Sequence, residues 1–180
     1  FRRSASLMAT TETSCRFTQF GAADLVVLPG TKSTIEDLRF LKSSGLAEQV
    51  VAAAHRGVPV FGVCGGFQML GQTLSDPEHA EDGGTLRGMG LLETETVFRS
   101  QKQRSQTAGV ISGVSGMLES LSGCPVTGYE IHMGETVLKG AAKPSTAICD
   151  SVTGEQKADG AHLDNVCGTY VHGVFDKEAV

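Results

Sequence analysis

No Cys-x-x-Cys pair occurs, although the sequence has five cysteines, at positions 15, 64, 124, 149 and 167. An odd count with wide, irregular spacing argues against both a zinc ligand set and a disulfide framework, and it implies a reducing, cytoplasmic setting. His55, His79, His132, His162 and His172 also lack metal-ligand spacing, so no metal site is expected. No Lys/Arg stripe is present. Fifteen Lys+Arg against twenty Asp+Glu leave a net charge of −5, and nucleic acid is not an expected partner. No apolar run approaches membrane-spanning length. The start, Phe1-Arg2-Arg3-Ser4, has no apolar stretch behind it that would make a signal peptide. No Gly-x-x-x-x-Gly-Lys-[Ser/Thr] phosphate loop occurs, nor any repeat or low-complexity segment.

The remaining features describe one globular unit, residues 1–180, 40% hydrophobic and long enough for a sizeable core. Asp24 to Leu28 is a buried-strand run ended by Pro29-Gly30. Thr31 to Ser33 offer an N-cap, and Ile35, Leu38 and Leu41 recur at helical spacing. Gly45 breaks that helix, and Leu46 to Arg56 forms another. Val58 to Val63 is the next strand, and Phe67 to Thr73 the next helix. Strand–helix–strand–helix order predicts an α/β fold, a largely parallel sheet flanked by helices.

The second half differs. Ser75 to Gly84 is polar and turn-rich. Strands are expected at Leu91 to Phe98, Thr107 to Ile111, Tyr129 to Leu138, Thr146 to Cys149 and Val166 to Val171, with Gln101 to Gln106 a polar connection and Ser151 to Asp159 a soft loop. Additional antiparallel strands are expected here. Ser4 to Phe20 is poorly patterned where a first strand is wanted, and Asp176 to Val180 reads as a helix that stops, so a fragment of a longer protein is expected.

Chemistry concentrates at Gly62-Val63-Cys64-Gly65-Gly66-Phe67-Gln68. A cysteine ringed by glycines between a strand and a helix has the pattern of a nucleophile elbow. At a helix start, orphan N–H groups and the dipole are expected to lower the thiol pKa. A lone cysteine would instead be read as a buried side chain beside a glycine-rich turn. A thiol nucleophile needs a base. His172, at a strand end in Thr169-Tyr170-Val171-His172-Gly173, is the choice, although alone it would be a surface or capping histidine. His132 is the competitor. Alternation places it on one strand face with Glu130, either as a substrate-contacting edge or as a solvated polar face. The Gly65 N–H and the turn at Gly30 are candidate oxyanion donors, the latter alternatively an ordinary Pro-Gly turn. Gln68 points back toward the pocket, or is satisfied by the backbone.

Five stretches resemble the class I glutamine amidotransferases: Leu28 to Leu38, Gly62 to Gly71, Gly88 to Leu92, Gly128-Tyr129-Glu130-Ile131-His132-Met133-Gly134, and Gly168 to Gly173. Within that class the chain is similar to the cobyric-acid branch, the C-terminal glutaminase domains of cobyric acid synthases. The resemblance implies a class I amidotransferase (flavodoxin-like) fold and a Cys–His mechanism. Cys64 would form a glutamyl thioester, His172 would act as base and acid, and Gly30 and Gly65 would hold the oxyanion. Gln68 would help seat glutamine, with Tyr129, Glu130 and His132 as further substrate-binding candidates. It also implies corrinoid amidation by a synthetase domain that uses ATP and Mg2+ and lies outside this chain; no cofactor is expected in residues 1–180. Many class I relatives have a Glu two residues after the histidine. Here Gly173-Val174 follows His172, so a dyad is expected, oriented by backbone or by Glu130. Rival resemblances are the amidotransferase subunit for lipid II (peptidoglycan) amidation, cobyrinate a,c-diamide synthase, which Gln68 fits poorly, and a catalytically silent binding domain.

Overall fold

The computed structural model describes residues 21, 23–114 and 116–176. The expectations for Ser4 to Phe20 and for a helix over 177–180 lie outside these residues.

The elements run in the order β1 (Val26–Leu28), α1 (Thr34–Ser43), α2 (Leu46–His55), β2 (Val60–Val63), α3 (Gly65–Leu70), β3 (Thr73–Asp76), β4 (Gly84–Arg87) and β5 (Thr94–Ile111). A 3₁₀ helix (Gly116–Leu121) follows, then β6 (Pro125–Leu138), β7 (Thr146–Asp150), β8 (Gln156–Asp159), β9 (Ala161–Leu163), β10 (Val166–Thr169) and β11 (Val171–His172). Ile35, Leu38 and Leu41 are buried along one stripe of α1, as their spacing predicts. Each buried side chain of this size contributes about 1.5–3 kcal/mol of transfer free energy. Ser33 is the N-cap of α1 but makes no side-chain cap bond. The Glu81 carboxylate accepts the Ile35 N–H at 3.0 Å in its place.

Two sheets result. The first has the order β1-β2-β10-β9, with β1, β2 and β10 parallel. Every residue of β2 is buried, as expected of a central parallel strand covered on both faces. Helices pack against this sheet, and Leu28, Val60, Phe61, Phe67, Val166 and Cys167 share one apolar core. Ile35, Leu38, Met69, Leu74 and Phe98 form a second cluster beneath α1. The expected parallel sheet with flanking helices is therefore present, and the second sheet, antiparallel except where β3 pairs with β5, is the larger, seven strands against four.

Several boundaries depart from expectation. Gln101 to Gln106 is not a connection but the middle of β5, which pairs antiparallel with β6 almost throughout. Polar residues suit it because most of the stretch is exposed. Gln156 to Asp159 is a strand, β8, held by β7 rather than a soft loop. Helix α3 stops at Leu70, and Thr73 opens β3. Val166 to Val171 breaks at Tyr170 into β10 of the first sheet and β11 of the second. That break carries the chain from one sheet to the other next to His172.

Candidate active site

The end of β2, the start of α3, the turn after β1 and the end of β11 converge at one point. Cys64 joins β2 to α3 with φ 50° and ψ −111°, a conformation rare outside glycine. Its backbone is pinned on both sides: its N–H donates to the Thr169 carbonyl at 2.8 Å, and its carbonyl accepts from Gln68 N–H at 3.0 Å. The neighbouring glycines have no room for side chains. A Cβ at Gly62 would lie 2.6 Å from the Phe67 Cα, at Gly65 it would collide with Thr31, and at Gly66 with the Leu28 carbonyl. The elbow is thus wedged against β1 and its following turn.

His172 reaches the same place from the other sheet. A Cβ at Gly30 would sit 2.8 Å from His172 Cε1 and 3.5 Å from the Cys64 Cβ. Gly30 therefore lies against both residues, and a side chain there would press on the imidazole. The Ile131 carbonyl accepts from the Cys64 thiol at 3.5 Å, and the same backbone group raises the His172 pKa. The backbone, and not Glu130, orients the imidazole: Glu130 bonds to His132 at 2.8 Å and to Lys157 at 2.7 Å.

The electrostatics overturn one expectation. Burial pushes the Cys64 thiol up to about 11, opposed by the Gly65 N–H and reinforced by Glu81, Asp159 and Glu130. A six-residue helix start does not outweigh desolvation of a thiolate that is buried and near three carboxylates. Burial also lowers the His172 pKa, against the Ile131 carbonyl that raises it. Both shifts favour the neutral forms near pH 7, a thiol and an unprotonated imidazole.

Gln68 is buried and points toward the site, but its amide is occupied. Thr34 Oγ1 donates to its Oε1 at 3.3 Å, and its Nε2 donates to Tyr170 Oη at 3.1 Å. Glu130 and His132 share a strand face as alternation predicts, and they are buried, not solvated, with side-chain exposures of 4% and 8%. Burial raises the Glu130 carboxyl, but His132 and Lys157 hold it down to about 2. Tyr129 is on the opposite face of β6 and 54% exposed. Sequence reasoning missed Ile131, whose contribution is a backbone carbonyl with no residue signature. It also missed Tyr170, stacked on His132 with centroids 3.7 Å apart and 15° between the planes. Asp159 was missed as well; it accepts from Thr169 Oγ1 and the Tyr170 N–H. A cleft of about 560 Å³ borders Glu130, His132, Lys157 and Tyr170, and neither Cys64 nor His172 lines it.

A parallel α/β sheet that presents a strained cysteine elbow near a histidine has the pattern of a nucleophile elbow, a class of hydrolases and acyl transferases. Comparison with known proteins narrows this: the chain belongs to the CobB/CobQ-like glutamine amidotransferase domain family, whose profile matches residues 5–180. It is 43% identical over 183 residues to the cobyric acid synthase of Dehalococcoides mccartyi, covering 96% of this chain and 36% of that protein. To the cobyric acid synthase of Citrobacter koseri it is 46% identical over 166 residues, covering 89% and 32%. The chain thus spans about a third of the length of these curated relatives. Among solved structures it shares its fold with a glutamine amidotransferase at TM-score 0.56 and 11% identity, covering 87% of this chain and 74% of the other. PurLQS from Thermotoga maritima follows at TM-score 0.54 and 20% identity, covering 83% and 68%. No helix among the described residues is long and apolar enough to cross a membrane.

Proposed function

We propose that residues 1–180 form one glutaminase domain, which cleaves glutamine to glutamate and ammonia in the cytoplasm for an ATP-dependent amidation of corrinoid carboxylates, adenosylcobyrinic acid a,c-diamide being the acceptor. The observation that carries this reading is the strained Cys64 elbow, packed with His172 against Gly30. Family membership and the cobyric acid synthase relatives support the pathway. ATP and Mg2+ would bind outside this chain.

As glutamine enters, its side-chain carbonyl carbon meets Cys64 Sγ. His172 takes the thiol proton as the C–S bond forms, so charge separates only when there is an oxyanion to receive it. The N–H groups of Gly65 and Gly30 hold that oxyanion. Collapse breaks the C–N bond, and His172 passes the proton to the departing ammonia. A water then attacks the thioester with His172 again as base, and glutamate leaves with the thiol restored. Gln68 braces the pocket floor through Thr34 and Tyr170. Tyr129 takes no part.

The test is labelling of the full-length protein with 6-diazo-5-oxo-norleucine, a glutamine-like alkylator, followed by peptide mapping. One adduct on Cys64, blocked by glutamine, is expected. No adduct on folded protein would overturn the glutaminase reading. Supplying the purified protein with glutamine, ATP and either a corrinoid or a lipid-linked peptidoglycan precursor separates the two amidation pathways, and only the corrinoid is expected to gain amides.

A further inference from the structure

We propose that Glu130 and His132 are positioning residues, clamping β6 so that the Ile131 carbonyl between them aligns Cys64 and His172. This rests on the reading of those two residues as nucleophile and base.

The Ile131 carbonyl is available because one ladder ends beside it and the other turns irregular two residues further on. On one edge of β6 the pairing with β11 stops at Val171 opposite Glu130, so Ile131 is the first residue past it. On the other edge the pairing with β5 shifts register. Gly134 faces Phe98 and His132 faces Gln103, while Met133 faces nothing and residues 99–102 bulge away. Ile131 and His132 are therefore held on one edge only, opposite Arg104 and Gln103 of β5, and Met133 has no partner, yet this stretch must hold one carbonyl against two side chains of the site.

The side chains on either side of Ile131 supply the support. The His132 ring bonds to the Gly134 carbonyl through Nδ1 at 2.6 Å and to Glu130 Oε1 through Nε2 at 2.8 Å. Both ring nitrogens face oxygen atoms, so the ring is held at two points. The clamp thus spans the irregular stretch from both ends. Glu130 ties it to β5 through Ser105 Oγ at 3.2 Å and to β8 through Lys157 Nζ at 2.7 Å. Tyr170, two residues before His172, lies flat on the His132 ring. The charged or titratable groups facing the pair are Lys157 and Asp159 of β8, Tyr170 between β10 and β11, and beyond it Cys64 and His172. A buried ion pair is weak evidence of stabilisation in itself. Holding the Ile131 carbonyl in place gives it a use.

The experiment takes Glu130→Gln and His132→Gln in the full-length protein. It reads kcat and KM for glutamine cleavage and, without glutamine, the pH dependence of iodoacetamide alkylation at Cys64, mapped by peptide. Misalignment is expected to lower kcat roughly 10–100-fold with KM unchanged. The alkylation inflection is expected to move to higher pH, because losing the Ile131 acceptor disfavours the protonated imidazole that stabilises a thiolate. Unchanged kcat with an unchanged profile would overturn the proposal. So would a raised KM with kcat intact, which makes the pair a substrate contact, or a lowered kcat with the alkylation profile unmoved. If either variant does not fold, Lys157→Met, at a side chain 41% exposed, is expected to give a smaller shift in the same direction, and no shift would overturn the clamp. If the unmodified protein cleaves no glutamine, the glutaminase reading fails while the alkylation profile still decides the clamp.

Discussion

Two polar clusters meet at β6, and they use charge in opposite ways. Around Cys64 and His172 burial disfavours ions: the thiol is pushed up to about 11 and the imidazole down. Around Glu130 and His132 burial also raises the carboxyl, yet it is held at about 2 by His132 and Lys157. One cluster has few fixed partners; the other has every side-chain polar atom engaged and little left to give. Reactivity and rigidity are thereby divided between neighbours on one strand, joined by the Ile131 carbonyl.

The comparison can be broken most severely at the thiol. Cys64→Ser is expected to lower ammonia release from glutamine by about 10⁴-fold or more while leaving the circular dichroism spectrum unchanged; retained activity would remove Cys64 from the reaction. His172→Ala should cost roughly 10²–10⁴ in kcat, the range for a proton-transfer group, and more than His132→Ala does. The reverse order would exchange the roles of the two clusters. Gly66→Ala forces a side chain into the Leu28 carbonyl. Urea unfolding should show a loss of about 1–3 kcal/mol, the usual range for overpacking, with activity falling as the elbow shifts.

Acid separates the clusters more gently. The folded pKa of Glu130 is depressed from 4.5 to about 2, so the unfolded chain binds the extra proton in that window. Its stabilising contribution is complete above about pH 4.5 and is lost as pH falls toward about 2. Glu130→Gln should therefore flatten the decline of unfolding free energy over that range, and an unchanged slope would show that the carboxylate is not ionised there. Smallest of all, Tyr129→Ala on the exposed face is expected to change stability by less than about 0.5 kcal/mol and to leave KM for glutamine unaltered.

The first half of the chain was legible because its signals are local. Ile35, Leu38 and Leu41 state a helix face, the Val60 to Val63 run states a buried strand, and glycines about Cys64 state a turn with no room for side chains. The long β5–β6 hairpin was not legible at Gln101 to Gln106, since exposed polar residues there follow no period, and the strand is set by its partner across the ladder. Glu130 and His132 were correctly placed on one face, but their burial depends on Lys157 from β8, a strand that the sequence presents as a soft loop. The thiol pKa was misjudged for the same reason. The helix start is local, while the burial and the three carboxylates that outweigh it arrive from elsewhere in the chain.

Sequence alone determined the elbow, the identity of the nucleophile and base candidates, and the parallel core that carries them, because each follows from side-chain size and spacing within a few residues. Tertiary structure alone decided that both pack against Gly30, that the Ile131 carbonyl accepts from the thiol, and that burial favours the neutral form of each. Those outcomes come from the crossing of two sheets at Tyr170, where long-range packing sets distance and solvent access and no local pattern records either.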